Sequence, residues 1–282
     1  MTRPNAGAQP LISNISDTAR WIAAYRAIES ARPDALFDDP LADRLAGQRG
    51  HAIVAAAPRI SWALVARTKL IDDIVASAVR DGCDRVLNLA AGLDTRPYRL
   101  NLPTDLTWIE ADLPALLAEK EQLLAGQTPR CQLARCAVDL ADPAARDAFL
   151  DDALTGASRA LVVTEGLLMY LDYRDVVALS EALTRPAIAW WLVEFWGAGL
   201  KKWMDKKTDG IMGNAPFKFG PANGIAYFED LGWKPLEVES VLAAAHRFDR
   251  LPLWYRFLAS LPQPDPRNPK RIRWSAVARL AR

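Results

Sequence analysis

The stretch RVLNLAAGLDTRPYRL, residues 85–100, decides the fold. Val86, Leu87 and Leu89 form a short apolar run that passes into small residues and Gly92, the pattern of a buried strand entering a tight turn. Just upstream, Asp81-Gly82 closes a helical pattern from Ile60 to Arg80, whose apolar positions include Leu64, Ile71, Ile74, Val75 and Ala78. Earlier still, SDTARWIAAYRAIESAR places Trp21, Ala24, Tyr25 and Ile28 at helical intervals, with Ser16 or Asp17 available as a cap and Pro33 as a stop. A turn-rich segment, residues 34–47, lies between the two helices.

Downstream, strands alternate with helices. Strands are expected at Thr107–Asp112, Leu133–Val138, Ala160–Thr164 and Ile188–Phe195, and helices after Pro114, over Pro143–Leu154 and over Asp175–Leu183. This alternation predicts an α/β fold with a doubly wound, mostly parallel sheet covered on both faces. Beyond Trp196 the alternation stops, and the Gly-, Lys- and aromatic-rich residues 197–224 read as an irregular insertion over one end of the sheet. Two late runs, Lys234–Ser240 and Ile272–Ala278, fit an antiparallel pair at the sheet edge and bring the strand count to seven. The expected organisation is a flexible arm (1–15) and one domain (16–282). That domain comprises a helical cap (16–80), a cofactor-binding core (81–196) and a substrate-side insertion with the sheet edge (197–282).

Composition removes several functions. The 282 residues carry 35 basic and 34 acidic side chains, a net charge of +1 that offers no global attraction to nucleic acid or an anionic membrane. The lysines at 201, 202, 206 and 207 and the basic tail read as solvated surface. Three scattered cysteines and two distant histidines support neither a disulfide scaffold nor a zinc site, so no metal is expected and a reducing cytoplasm is the expected compartment. The first fifteen residues lack the apolar core of a signal peptide, and no stretch has the length to cross a bilayer.

In an open parallel sheet, ligands bind beyond the carboxyl ends of the strands, where the strand order reverses. Here the loop after the first strand is Ala90-Ala91-Gly92-Leu93-Asp94, with small residues that permit close approach to the backbone. It lacks the three glycines of a dinucleotide loop, and Asp94 puts negative charge where phosphates would sit. The second strand ends in Glu110 and Asp112, about twenty residues on, where an acid accepts from ribose hydroxyls. Asp139-Leu140 ends the third strand, a carboxylate to accept from an exocyclic amine and an apolar face for a purine. Glu165-Gly166 ends the fourth. Any one of these acids is more often a helix cap, but their recurrence at consecutive strand ends favours a nucleoside without pyrophosphate.

Together, RVLNLAAGLDTRPYRL, WIEADLP, AVDLAD and LVVTEGLLMYL resemble the leucine carboxyl methyltransferase-like family of class I S-adenosylmethionine-dependent methyltransferases. The resemblance continues upstream through residues 16–47 and VARTKLIDD, and downstream weakly to YFEDLGW. It implies a Rossmann-like methyltransferase with S-adenosyl-L-methionine as cofactor and a small-molecule acceptor, and the near-neutral charge adds the expectation of neither nucleic acid nor membrane as partner. Ala90, Gly92 and Asp94 would form the turn around the methionine part, and Arg67 would bind its carboxylate. Asp112 would take the ribose, Asp139 and Leu140 the adenine, and Glu165 would stand near the methyl donor. Tyr170 is the candidate for a catalytic role, with no base assigned. The loop reads Leu89-Ala90-Ala91-Gly92 where many relatives have a second glycine, and Asn88 precedes it.

The expected activity is O-methylation of a small-molecule hydroxyl or carboxyl group. The alternatives are methylation of a protein C-terminal carboxylate, or binding of the cofactor without catalysis. Tyr25, Trp196, Trp203, Phe217 and Phe219 are candidate linings of the acceptor chamber.

Overall fold

A computed structural model describes residues 15–56, 61–207 and 216–282, so the expected arm lies almost wholly outside the described residues. Helices α1 (Ile15–Ser30), α2 (Ala42–Ala56) and α3 (Ser61–Arg80) come first. The core then alternates: β1 (Arg85–Leu89), α4 (Arg96–Arg99), β2 (Thr107–Asp112), α5 (Pro114–Leu123), β3 (Gln132–Ala137), α6 (Pro143–Ala153), β4 (Ala160–Thr164), α7 (Tyr173–Ala182) and β5 (Ile188–Trp196). After it come α8 (Ala198–Lys207), α9 (Ala226–Asp230), β6 (Lys234–Ser240), α10 (Val241–Arg247), α11 (Leu253–Ser260) and β7 (Ser275–Ala281).

The seven strands form one sheet in the order β3-β2-β1-β4-β5-β7-β6. β1 to β5 are parallel, and β7 pairs antiparallel with both β5 and β6, so the two late runs do close the edge. The chain winds outward from β1 through β2 to β3, then returns to β4 on the other side of β1. The β1/β4 boundary is therefore the switch point, and a crevice opens above it.

Each face of the sheet carries its own apolar core. One packs Leu87, Val162 and Trp191 against Phe149 and Leu150 of α6 and Val176 and Leu179 of α7. The other packs Val86, Trp108, Leu161 and Val163 against Ile71, Ile74 and Val75 of α3 and Ala244 of α10. Strands buried on both sides explain the near-continuous apolar reading of β4 and β5.

The cap holds a helix where the turn-rich segment was expected. α2 turns Leu45, Ala46, Gly50 and Ile53 inward, interrupted at Gly47, whose φ of 55° breaks the helical path. Gly50 lets α2 lie against α1: a Cβ there would meet the Arg20 carbonyl oxygen at 2.6 Å. The insertion is also partly regular, because Leu200, Trp203 and Met204 recur at helical spacing and pack α8 beneath the cap. No helix among the described residues is long and apolar enough to cross a membrane.

Candidate functional site

A cavity of about 380 Å³ lies over the switch point, within the size range of ligand sites. Its floor is made by the segments that follow β1, β2, β3 and β4, and α1 roofs it with Thr18, Ala19, Ile22 and Arg26. Arg67, Ala90, Gly92, Asp94, Asp112, Asp139, Leu140, Glu165 and Tyr170 all line it. Residues spread over more than a hundred positions are thus brought together by the parallel topology.

The turn after β1 runs through two left-handed positions, Ala90 at φ 56° and Gly92 at φ 49°. An L-residue in that region costs about 1–2 kcal/mol, so Ala90 is held there by its surroundings. Gly92 donates its N–H to Asp112 Oδ2 at 2.7 Å, and Leu113 donates to Asp112 Oδ1 at 2.7 Å. Asp112 is thereby locked at the junction of two loops, while each oxygen keeps lone-pair capacity for a ligand hydroxyl. Asp139 accepts from the Ala141 N–H at 2.9 Å through Oδ1 alone. Glu110, by contrast, is fully buried between Lys120 Nζ at 2.7 Å and Arg135 Nε at 2.9 Å, outside the cavity.

Asp94 and Glu165 are not open negative charges. Arg96 donates to Asp94 Oδ2 at 2.8 Å, to Glu165 Oε2 at 2.7 Å and to Asp72 Oδ1 at 2.7 Å, and Asn88 donates to Asp94 at 2.8 Å. Arg67 lies 2.9 Å from Glu165 Oε1 and 3.1 Å from Glu194. These guanidinium groups hold the carboxyls of Asp94 and Glu165 below the ordinary range, against burial, which acts the other way. Glu194 also accepts from the Gly166 N–H at 3.0 Å, fixing the turn after β4. The Arg67 Nε is sealed from solvent without an acceptor.

Arg96 and Glu194 complete the site although no role attaches to them in the motif reading. For Glu194 a signal existed: it is the lone carboxylate in the apolar β5 and extends the series of strand-end acids to a fifth strand. Burial pushes the Tyr170 hydroxyl up to about 12, so it is a neutral donor at physiological pH. The five aromatic candidates do not line the cavity. Trp196 packs on Phe217 at 4.7 Å between ring centroids and Phe217 on Tyr170 at 5.6 Å, forming a wall behind that tyrosine with Tyr25 and Trp203; Phe219 joins the sheet core.

A family model described as leucine carboxyl methyltransferase matches residues 19–184, more than half of the chain and every cavity position named above except Thr18. The chain belongs to the leucine carboxyl methyltransferase family. Within that family's range, a provisionally named S-adenosyl-L-methionine-dependent methyltransferase of Parafrankia sp. (strain EAN1pec) is 32% identical over 251 residues, covering 82% of this chain and 81% of the relative. One from Mycolicibacterium smegmatis, named in the same way, is 32% identical over 266 residues, covering 83% and 88%. Among solved structures, a DUF574-family protein from Streptomyces avermitilis superposes with a TM-score of 0.60 at 16% identity over 94% of this chain and 97% of that one. A provisionally named methyltransferase from Thermobifida fusca YX gives 0.59 at 18% identity, covering both chains fully. These two structures share the class I methyltransferase architecture seen here.

Proposed function

We propose that this chain, an S-adenosylmethionine-dependent methyltransferase by its family, transfers the methyl group to oxygen on a small-molecule hydroxyl or carboxyl acceptor. The observation that carries the reading is Asp112: a nine-tenths buried carboxylate, oriented by two backbone N–H groups at the rim of an adenosine-sized cavity. The residues present fit the cofactor. Asp112 would hold the ribose hydroxyls, Asp139 and Leu140 the adenine, the left-handed Ala90–Gly92 turn the methionine chain, and Arg67 the carboxylate end. When bound, S-adenosylmethionine supplies a methyl carbon already activated by a sulfonium, so the protein's tasks are alignment and exclusion of water.

Glu165 is pinned by two arginines and held ionised, which orients it and makes it a poor proton acceptor. Tyr170 stays protonated and can donate a hydrogen bond to an acceptor oxygen. His51 and His246 are both exposed and outside the cavity. With both histidines outside the cavity, Glu165 held ionised and Tyr170 protonated, the chamber suits acceptors that arrive ionised, a carboxylate or an acidic phenol, over an aliphatic alcohol. Family membership makes a peptide C-terminal carboxylate the second reading. The three cysteines are free thiols, compatible with action in the reducing cytoplasm.

Incubation with methyl-labelled cofactor and cell extract, split into small-molecule and protein pools, tests the proposal. Label in an ester or ether of a small molecule supports it. Base-labile label confined to protein supports the second reading, and absence of transfer to either pool refutes both.

A further inference from the structure

Helix α6 turns Arg146, Phe149, Leu150 and Ala153 inward, the spacing of a core-facing stripe. The last three pack into the core. The first is a guanidinium, 7% exposed, lining the cavity beside Leu140, Ala141 and Pro143. It has no hydrogen bond from its side chain to any described residue. Its Nε is sealed without an acceptor, and the nearest carboxylate oxygen, Asp147 Oδ1, lies 3.6 Å away and is shared with Arg185 at 3.7 Å.

A buried guanidinium with no hydrogen bond, whose nearest carboxylate stands at 3.6 Å and is shared with Arg185, is poorly compensated, a cation in the first turn of a helix opposes the helix dipole, and an apolar residue would complete the stripe. A cost of this kind at the wall of a binding cavity points to a ligand group that completes the guanidinium. Asp139, on the same rim, keeps one carboxylate oxygen free of protein donors. A carboxylate acceptor and a guanidinium donor together match an aminopurine, whose exocyclic amine donates and whose ring nitrogens accept.

We infer that Arg146 is a specificity-determining residue for the cofactor, donating from its guanidinium to a ring nitrogen of the adenine while Asp139 accepts from the exocyclic amine. This rests on the reading of the cavity as the S-adenosylmethionine site. Other occupants of the rim, such as a bare phosphate, would leave the Asp139 carboxylate facing like charge.

Calorimetry with S-adenosylhomocysteine and its 1-deaza, 3-deaza and 7-deaza analogues, on wild type, Arg146→Met and Arg146→Lys, tests it as a double-mutant cycle. One analogue should bind wild type about 10- to 100-fold more weakly than the parent compound, the effect of losing one hydrogen bond to a charged group. Arg146→Met should bind the parent compound more weakly by a similar factor and show no further loss with that analogue; Arg146→Lys should fall between. Without ligand, Arg146→Met should melt at or above the wild-type temperature, which a structural arginine would not allow. Should the Met variant fail to fold, the cycle is read on Arg146→Lys, where an analogue penalty equal to that of wild type overturns the inference. Equal analogue penalties in wild type and variants overturn the inference alone. Wild type without heat for S-adenosylhomocysteine overturns the cofactor reading and the inference with it.

Discussion

Replacing Asp112 is the most direct perturbation of the site. In Asp112→Ala a bound ribose loses acceptors for two hydroxyls, and hydrogen bonds to an ionised group are each worth about 1.5–3 kcal/mol. The expected loss is therefore roughly 3–6 kcal/mol, a weakening of S-adenosylhomocysteine binding by about 10²- to 10⁴-fold. The same carboxylate anchors Gly92 and Leu113, so part of the loss could come from a relaxed loop. A 2′,3′-dideoxy analogue separates the two effects: wild type should bind it far more weakly than the parent compound, and Asp112→Ala should bind both alike. Losing the Gly92 and Leu113 hydrogen bonds to the same ionised group costs up to about 3–6 kcal/mol of stability, so the variant should stay folded and melt at most about 10 °C below wild type. An Asp112→Ala affinity within about threefold of wild type, measured by calorimetry, removes Asp112 from the site and with it the principal support for a nucleoside in this cavity.

Other expectations follow from the same geometry. Tyr170→Phe should lower kcat about tenfold or more while leaving S-adenosylhomocysteine affinity within about threefold, since one hydrogen bond to the acceptor is lost; equal losses in both would contradict its placement. Asp72→Ala strips the shared carboxylate from Arg96 and Arg99 and should cost about 3–5 kcal/mol in denaturant unfolding, against at most about 1 kcal/mol for the exposed Lys201–Asp205 pair. Asp39, Asp94 and Glu165 all have folded carboxyls shifted below the ordinary range near pH 4, so the native state binds fewer protons there than the unfolded chain. Their contribution is full above that range and lost as pH falls through the lower folded values. Thermal melts should therefore decline below about pH 4, even though Glu110, shifted upward by burial, acts in the opposite sense; a melting temperature that rises on acidification would refute this. Ala90→Gly relieves a left-handed alanine and should stabilise by roughly 1 kcal/mol, seen as a melting increase of about 2 °C.

The strands could be read from sequence because each is a short apolar run between turn residues, and β2 falls on Thr107–Asp112 as expected. The strand-end acids were legible for a topological reason: once the sheet is parallel, all carboxyl ends lie on one side. α2 was hidden by Gly47 and Gly50, residues that mark turns in most contexts and here permit a kink and a close helix crossing. α11 carries Leu253, Trp254, Phe257 and Leu258 at helical spacing, but the run is only eight residues long and stands between Pro252 and a proline-rich tail, so its periodicity was obscured. The guanidinium partners of the acids were not legible either. Arg67 and Glu194 are 127 positions apart, and no local pattern announces such a contact.

Those partners change what the cavity can attract. Its lining includes four arginines, Arg26, Arg67, Arg96 and Arg146, and five carboxylates, Asp94, Asp112, Asp139, Glu165 and Asp175. Behind the wall, Asp39 faces Arg26, Glu194 faces Arg67, and Asp72 is shared by Arg96 and Arg99. Arg26, Arg67 and Arg96 are therefore largely neutralised from the protein side while Arg146 is not, and the balance facing the ligand is slightly negative. A phosphate-bearing nucleotide meets no uncommitted cation at the β1 turn and would approach Asp94, Asp112 and Glu165 at close range, where water screens poorly. A ligand with a sulfonium and an ammonium meets a complementary field. On the proposed reading, methyl transfer removes one positive charge from such a ligand, so this wall would hold the substrate form of the cofactor more firmly than its product form, and the arginine–carboxylate network around Asp94 and Glu165, held in place beforehand, would avoid the reorganisation that flexible charges require.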